Sequence, residues 1–293
     1  MSVSSAAQRP LAGTLFVVAT PIGNLEDLSF RAVRVLREVT VIACEDTRHT
    51  RLLLQRHAIA TPLVSYHEHN ERVRTPELVR RLQAGESIAL VSDAGTPLLS
   101  DPGYTLIGEA IASGVPVVPV PGPSAITAAL SVAGLPTDRF VFLGFLPRKS
   151  AERRRVLEAV QAIPWTLVLF EAPTRVEGTL KDLQAVLGER PIALLRELTK
   201  KFEEVLRGTP REILAQAQGR RLRGEVTLVV GGGASPAAVS AGDPRKELKA
   251  LLAAGTPPTE AVRQVAKAHG LPRRTVYDLV VGLRAEHGRQ RHP

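Results

Sequence analysis

Three short segments of the sequence combine glycine with proline directly after apolar runs. They are Thr20-Pro-Ile-Gly-Asn24, Ser92-Asp-Ala-Gly-Thr-Pro97 and Pro121-Gly-Pro-Ser-Ala125. Glycine lets backbone N–H and C=O groups approach a ligand closely, and proline restricts the loop so that binding costs little ordering entropy. None of the three has the Gly-Lys-Ser/Thr ending or the Gly-x-Gly-x-x-Gly pattern of common nucleotide sites. We expect them to form a small-molecule site of another kind.

The segments around these loops alternate between two periodicities. Four apolar runs predict buried strands, at residues 13–19, 39–44, 87–91 and 115–120. Four stretches with helical spacing separate or follow them, at residues 28–37, 47–57, 75–84 and 104–112. Strands that are apolar on both faces and alternate with helices indicate a mostly parallel sheet with ligand groups in the loops after the strands. Residues 11–124 are predicted to form this first α/β domain.

A second α/β domain is predicted for residues 125–230. It begins with a helix at Ala125–Ala133. Further strands are predicted at residues 140–146, 165–170, 191–196 and 225–230. Helices with apolar residues three and four apart are predicted at residues 151–162, 175–187 and 210–218.

The end of the chain differs in composition from both predicted domains. Residues 231–242 are small, uncharged and turn-rich, which is typical of a linker. Residues 243–293 contain 10 Lys+Arg against 5 Asp+Glu. Two helical stretches, at residues 258–269 and 273–284, flank a Gly-Leu-Pro turn and resemble a helix-turn-helix. Arg273 and Arg274 at the start of the second could bind phosphate, whereas the alternative is a helical cap or dimerisation element.

The composition restricts the class of protein. A net charge of +9 and a pI near 10.3 favour an anionic partner, with nucleic acid as the first candidate. The single cysteine, Cys44, excludes a disulfide framework within the chain and a thiolate metal cluster, and it favours the reducing cytoplasm. The uncharged stretch at residues 110–137 is divided by five prolines, so it does not predict a membrane span.

Several longer motifs occur in a fixed order over almost the whole chain. They are residues 18–28, Cys44-Glu-Asp-Thr-Arg48, Tyr66-His-Glu-His-Asn-Glu71, residues 90–103, residues 119–125 and residues 196–204. Together they resemble the tetrapyrrole methylase superfamily. More closely, they resemble its ribosomal RNA branch, which methylates the 2′-hydroxyl of a cytidine ribose in the decoding region of 16S rRNA.

This resemblance implies two α/β domains with a cleft between them that holds S-adenosyl-L-methionine, to which the pattern of the tail adds a small C-terminal all-helical module. It also implies a homodimer that acts on 16S rRNA, which we expect to be presented within the small ribosomal subunit. The composition adds the expectation of a cytoplasmic protein with no metal and no membrane. The residues it places at the cofactor are Pro21, Gly23, Asp93, Ala94, Gly95, Thr96, Ser100, Pro121, Gly122, Ser124 and Ala125. For Asp93 a helix N-cap is the alternative interpretation.

Transfer of a methyl group to a ribose hydroxyl requires in-line geometry and removal of a proton. The candidate bases are Glu45, Asp46, Glu197 and Lys200, and the sequence does not choose among them. Each is otherwise an ion-paired or solvated surface residue.

Other residues are candidates for contact with RNA. Arg48, His67 and His69 are assigned this role together with Arg273 and Arg274. His67 and His69 would lie on one side of a strand, where two imidazoles are too few for a metal site. The basic runs at residues 148–155 and 220–223 are either solvated helix faces or part of the same surface, and Cys44 is interpreted as a core thiol.

Two other functions stay open. A tetrapyrrole methyltransferase would act on an acidic macrocycle with the same fold, but the first loop and the basic tail argue against it. A helix-turn-helix regulator would sense a small ligand without turnover. An assay of methyl transfer to RNA and to a porphyrinogen distinguishes all three.

Overall fold

A computed structural model describes residues 13–233, 243–269, 271 and 275–280. Most of the predicted linker lies outside these residues. Arg273 and Arg274, predicted to contact RNA, lie outside them as well.

The first sheet has five strands, and every pair of neighbours in it is parallel. Its order is β3-β2-β4-β1-β5. The strands are β1 (Leu15–Val18), β2 (Val41–Cys44), β3 (Leu63–Ser65), β4 (Ile88–Leu90) and β5 (Val117–Val120). Because β4, β1 and β5 are adjacent and parallel, the loops that follow them meet at one edge of the sheet.

Helices cover both faces of this sheet. They are α1 (Phe30–Glu38), α2 (Thr47–Arg56), α3 (Glu71–Gln83) and α4 (Tyr104–Ala112). Leu36 of α1 and Leu53 of α2 pack in one core cluster, and Leu78 of α3 and Leu106 of α4 pack in another. The sheet is therefore buried on both faces, as the continuous apolar runs predict. The connection between β4 and α4, residues 91–103, has no regular structure and carries much of the candidate site.

The second sheet is mixed, with order β6-β7-β10-β8-β9. Its strands are β6 (Phe140–Phe145), β7 (Thr166–Glu171), β8 (Ile192–Arg196), β9 (Glu204–Gly208) and β10 (Val226–Val230). β6 and β7 are parallel, and the other neighbours are antiparallel. The helices around it are α5 (Ala125–Ala133), α6 (Ser150–Ala159), α7 (Val176–Leu187) and α8 (Pro210–Ala217).

The two faces of the second sheet follow the strand period of two. Leu167 and Leu169 pack with Leu157 of α6 and Leu180 of α7, whereas Val168 between them packs with Ile126 of α5. The helix α5 thus belongs to the core of the second sheet, although it follows directly on the last strand of the first.

The C-terminal region forms its own small core. The helices α9 (Pro244–Ala253) and α10 (Pro258–His269) precede a helical stretch at residues 275–280. The buried residues of this cluster all come from the same region: Leu248, Ala261, Val262, Val265, Ala266, Val276 and Val280. The prediction of two α/β domains with a helical C-terminal module is confirmed.

Several details of the prediction need correction. The strands β3 and β9 and the helix α9 were not among the predicted elements. His67 and His69 do not lie on a strand, because β3 ends at Ser65 and the following residues turn into α3. In the described part of the chain, no helix is both long and apolar enough to cross a bilayer.

Candidate functional site

The loops after β1, β4 and β5 are joined by hydrogen bonds. The backbone N–H of Thr20 donates to the carbonyl of Gly95 at 2.9 Å, and the N–H of Gly95 donates to the carbonyl of Thr20 at 3.0 Å. The hydroxyl of Thr96 donates to the carbonyl of Pro123 at 3.2 Å. Gly95 has a φ of +82°, which an L side chain rarely adopts. The three glycine-proline loops therefore form one connected surface.

A cleft of about 390 Å³ lies between this surface and the second sheet. Its volume falls within the range of small-molecule sites. Its walls come from both α/β units, with Ile22, Leu99, Leu195 and Leu198 among the apolar residues and Asp93, Asp101, Ser124 and Thr227 among the polar ones. The fold thus provides a cleft between the two units.

Seven of the residues that the resemblance places at the cofactor line this cleft: Asp93, Ala94, Gly95, Thr96, Ser100, Ser124 and Ala125. Pro21, Gly23, Pro121 and Gly122 do not line it. A Cβ added at Gly122 would lie 3.2 Å from Cβ of Ala19, so this glycine permits close packing of the loops after β1 and β5. Those four residues shape the loops and lie outside the wall of the cleft.

Asp93 does not cap a helix, because the next helix begins only at Tyr104. Its Oδ1 atom instead accepts the backbone N–H of Asp46 at 3.1 Å. This bond joins the loop after β4 to the loop after β2, and it leaves the other carboxylate oxygen of Asp93 for a ligand in the cleft. The N-cap interpretation is therefore wrong.

Asp101 is a cleft residue that the sequence analysis missed. Burial raises its pKa to about 6, and the nearby carboxylates of Glu45 and Asp93 act in the same direction, against a hydrogen bond from Ser92. Burial and the charge of Asp93 likewise raise the pKa of Glu45. The sequence places Asp101 in the motif of residues 90–103, but within it Ser100-Asp-Pro-Gly103 is typical of an ordinary turn and does not single out this carboxylate.

Among the described residues, no lysine or arginine lines the cleft. Of its four carboxylates, Glu171 is paired with Arg175 at 3.1 Å and Glu225 with Lys200 at 2.7 Å. Asp93 and Asp101 have no such cationic partner among the described ion pairs. In a chain of net charge +9, this cleft suits a ligand that carries positive charge.

The loop between β8 and β9 reaches the loop after β1. Thr199 Oγ1 accepts the backbone N–H of Asn24 at 3.0 Å. Lys200 Nζ lies 2.8 Å from Glu197 Oε1 and 2.7 Å from Glu225 Oε2. Glu197 and Thr199 have φ values of 53° and 66°, a conformation that costs free energy in residues with a side chain. The ion pairs and the bond to Asn24 stabilise a strained loop that bridges the two units.

The charges in this bridging loop are fixed at neutral pH. Burial acts to raise the pKa of Glu197, but hydrogen bonds from Lys200 and the backbone of Glu225 outweigh it and lower the pKa. Burial acts to lower the pKa of Lys200, but its bonds to the two glutamates outweigh it and raise the pKa. Lys200 therefore stays protonated, holds the loop in place and is a poor proton acceptor.

We expect Gly23→Ala to lower the melting temperature by about 5 °C, because a Cβ at this position would lie 2.4 Å from Cγ of Lys200. Thermal unfolding measures the effect. Adding Lys200→Ala removes that Cγ and should restore part of the loss. The control is Gly108→Ala in α4, where an added Cβ has no neighbour within 4 Å. An unchanged melting temperature in Gly23→Ala would contradict the close packing of the Lys200 side chain against Gly23.

Glu45, Asp46 and Arg48 follow β2. Asp46 caps α2 by accepting the backbone N–H of Arg48, and its carboxylate also binds the guanidinium of Arg48 at 2.7 Å. These hydrogen bonds lower the pKa of Asp46. Asp46 is thus a structural carboxylate, while the side chain of Arg48 stays largely exposed. Cys44 is buried, and burial raises the pKa of its thiol, as a core cysteine requires.

The remaining candidates are separate from the cleft. The rings of His67 and His69 meet edge to face at 5.9 Å between centroids. The described residues contain no cluster of three or more metal-binding side chains. Arg153, in the first basic run, is not on the surface: it is buried and lies 2.5 Å from Asp182. Arg220, in the second, pairs with Glu204 at 2.7 Å.

Comparison with known proteins gives two family matches. Residues 14–214 match the tetrapyrrole (corrin/porphyrin) methylases. Residues 238–284 match the RsmI C-terminal HTH domain. The first match covers the first α/β unit and the second as far as α8, and the second match covers the C-terminal helices.

Two curated relatives are both named ribosomal RNA small subunit methyltransferase I. The protein from Halalkalibacterium halodurans is 46% identical over 93% of this chain and 96% of its own. The protein from Pseudomonas aeruginosa is 49% identical over 91% of this chain and 96% of its own.

Among solved structures, uroporphyrin-III C-methyltransferase from Thermus thermophilus, complexed with S-adenyl homocysteine, superposes with a TM-score of 0.53. It is 22% identical and covers 74% of this chain and 97% of its own. At that identity the likeness shows a common fold.

Proposed function

The chain belongs to the tetrapyrrole (corrin/porphyrin) methylase family, and from this premise we propose that it methylates the 2′-hydroxyl of a cytidine ribose in 16S ribosomal RNA, with S-adenosyl-L-methionine as donor. The observation that carries the proposal is the likeness over more than 90% of the chain to proteins named ribosomal RNA small subunit methyltransferase I. The basic C-terminal region supports an RNA substrate, since its charge favours phosphate.

The cleft fits this cofactor. S-adenosylmethionine carries a sulfonium and an ammonium group, and Asp93 is a cleft carboxylate without a cationic partner among the described ion pairs. Ile22, Leu99 and Leu195 offer apolar surface to an adenine ring. A tetrapyrrole macrocycle with several carboxylates would meet no lysine or arginine on the described walls, which disfavours that alternative substrate.

When bound, the cofactor supplies a methyl group on a positively charged sulfur. The loops after β1, β4 and β5 orient it through backbone groups and through residues such as Thr96 and Ser124. The two backbone hydrogen bonds between Thr20 and Gly95 keep these loops in place before the ligand arrives, so that little binding energy is lost in ordering them. Pro21, Gly23, Pro121 and Gly122 act indirectly by holding the same loops.

We assign the removal of the ribose proton to Asp101. It lies in the wall of the cleft, and with a pKa of about 6 it is mostly ionised at neutral pH while still able to accept a proton. Asp46, Glu197 and Lys200 hold fixed charges in ion pairs and serve the structure. Glu45 acts on Asp101 through its charge.

We expect Glu45→Gln to shift the acidic limb of the pH–rate profile to lower pH by a fraction of a unit or more, since a negative charge that raises the pKa of Asp101 is removed. The turnover number at pH 8 should change little. The profile is measured from pH 5 to 8 on small ribosomal subunits. Glu68→Gln is the control, because Glu68 is not among the causes of the shift at Asp101. A midpoint that does not move would contradict the role of Glu45.

The assembly is proposed to be a homodimer in the cytoplasm, acting on the small ribosomal subunit. Large apolar side chains are exposed on the first α/β unit, with Phe30 97% and Tyr104 85% accessible, and a second copy of the chain would cover such residues. Arg48, His67, His69, Arg273 and Arg274 are proposed to contact the RNA.

The experiment that tests the function measures radiolabelled methyl transfer to three acceptors: unmethylated small subunits, naked 16S RNA and uroporphyrinogen. We expect label in RNA. After alkaline hydrolysis the label should remain in an alkali-stable dinucleotide, because a 2′-O-methyl group blocks cleavage of the adjacent phosphodiester. Label in uroporphyrinogen would establish the tetrapyrrole alternative. Cofactor binding without transfer to any acceptor would establish the ligand-sensing regulator.

A further inference from the structure

The strand β6 contains an irregularity where it borders the cleft. Phe142 pairs with Val168 of β7, but Phe145 pairs with Phe170, so β6 contains one residue more than β7 in this interval. The extra residue allows a turn at Gly144, which has a φ of +60°. Such a bulge redirects the side chain that follows it, and bulges are frequent beside active sites.

Close approach of the two units occurs at the same point. A Cβ added at Gly144 would lie 3.2 Å from Oγ of Ser100, which belongs to the cleft wall of the first unit. The bulge therefore brings β6 against the β4–α4 connection that also carries Asp101.

The side chain of Phe145 is directed into the rim of the cleft. It lines the cleft and is nevertheless 55% exposed. Its ring lies 5.6 Å from that of Phe170, whose ring lies 4.9 Å from that of Phe142. The half-buried ring of Phe170, which itself packs against Phe142, thus fixes one side of Phe145 and leaves the rest of the ring to the cleft.

We propose that Phe145 is a stacking surface for the base of the nucleotide that is methylated. The inference rests on the proposed function and adds a substrate-binding residue to it. Enzymes that modify a nucleotide take it out of its stack and hold the base against aromatic side chains. A base stacked on Phe145 would have its own ribose beside the part of the cleft wall that contains Asp101.

The rim position favours the RNA base over the adenine of the cofactor. A small-molecule site usually buries most of its ligand. The deep walls of this cleft, such as Leu195 and Val226, are almost fully buried, whereas Phe145 stays open to solvent. An open aromatic ring at the mouth can be reached by a nucleotide that is still attached to a large RNA.

The test compares Phe145→Ala and Phe145→Leu with Phe145→Trp, using full-length protein and unmethylated small subunits. Stacking of one base on an aromatic ring is worth about 1–3 kcal/mol, so kcat/KM should fall roughly 10- to 100-fold in the alanine variant. The leucine variant keeps apolar bulk without an aromatic face and should resemble alanine. Tryptophan should stay within about threefold of wild type. Calorimetric titration should give unchanged cofactor affinity in all three.

Phe140→Ala is the matched control, since Phe140 is a half-exposed phenylalanine on the same strand that does not line the cleft. Its kcat/KM should stay near that of wild type. An equal fall in cofactor affinity in Phe145→Ala would place the ring at the cofactor and overturn the proposal. Unaltered kcat/KM would overturn it as well. If wild-type protein methylates no RNA, the proposed function itself fails, which is a separate result.

Discussion

Asp101→Asn is expected to lower kcat on small ribosomal subunits by about 100-fold or more, the usual contribution of a general base. Asparagine has nearly the same shape but cannot accept the ribose proton. Because the replaced carboxyl is one whose charged form is disfavoured by burial, the variant should keep its fold. Single-turnover methyl transfer measures the rate, and calorimetric titration measures the affinity for the cofactor, which should change by only a few-fold.

The pH dependence gives an independent readout of the same group. A base is active when deprotonated, so the wild-type rate should rise with pH, with its midpoint near pH 6, and level off above that. The residual rate of Asp101→Asn should lack this limb. Asp138→Asn, a carboxylate that does not line the cleft, is the control and should behave as wild type. If Asp101→Asn kept a normal rate and a normal profile, the base would have to be sought elsewhere.

Much of the fold could be read from the sequence because its elements are determined locally. The predicted bounds of α4 and α5, at residues 104–112 and 125–133, agree with the structure. β3 was missed because it has only three residues. β9 was missed because it is a half-buried edge strand whose residues belong to a charged motif. Two of those charges, Arg196 of β8 and Glu204 of β9, form an ion pair at 3.0 Å between the strands.

The site was less predictable because it depends on contacts between distant parts of the chain. Lys200 was a candidate base by type, but Glu225, its partner 25 residues later, holds it as a cation. Asp101 and Asp46 have the same side chain. Burial near Glu45 raises the pKa of the first, and hydrogen bonds from Arg48 lower that of the second. The types and spacing of residues locate the loops, while the protonation states come from tertiary packing.

The same distinction applies to Phe145. In the sequence it is one of three phenylalanines in an apolar strand, and nothing in the pattern separates it from Phe142. Only the shift in register at Gly144 directs it into the cleft. The role of a residue such as Phe145 is therefore recognised from backbone geometry and not from the sequence pattern.

Deletion of residues 234–293 is expected to raise KM for small ribosomal subunits by about 100-fold while cofactor affinity stays unchanged. The buried core of the C-terminal region consists of its own residues, so the two α/β units keep theirs. The deleted segment contains 10 Lys+Arg against 5 Asp+Glu. Each lost phosphate contact should reduce the slope of log affinity against log salt concentration by about one unit. Filter binding at several salt concentrations measures that slope, and thermal unfolding checks the fold.

A double substitution locates the effect within the deleted region. Arg273→Ala with Arg274→Ala should reproduce part of the loss, because two guanidiniums at a predicted helix start attract phosphate. The control is Lys181→Ala, which removes a surface cation of α7 that is already paired with Glu177 at 2.6 Å. If the truncated protein bound its substrate with unaltered affinity and salt dependence, the C-terminal helices would be a structural cap. RNA recognition would then rest on the two α/β units, where Arg48 is the exposed cation nearest in sequence to Glu45, whose charge raises the pKa of Asp101.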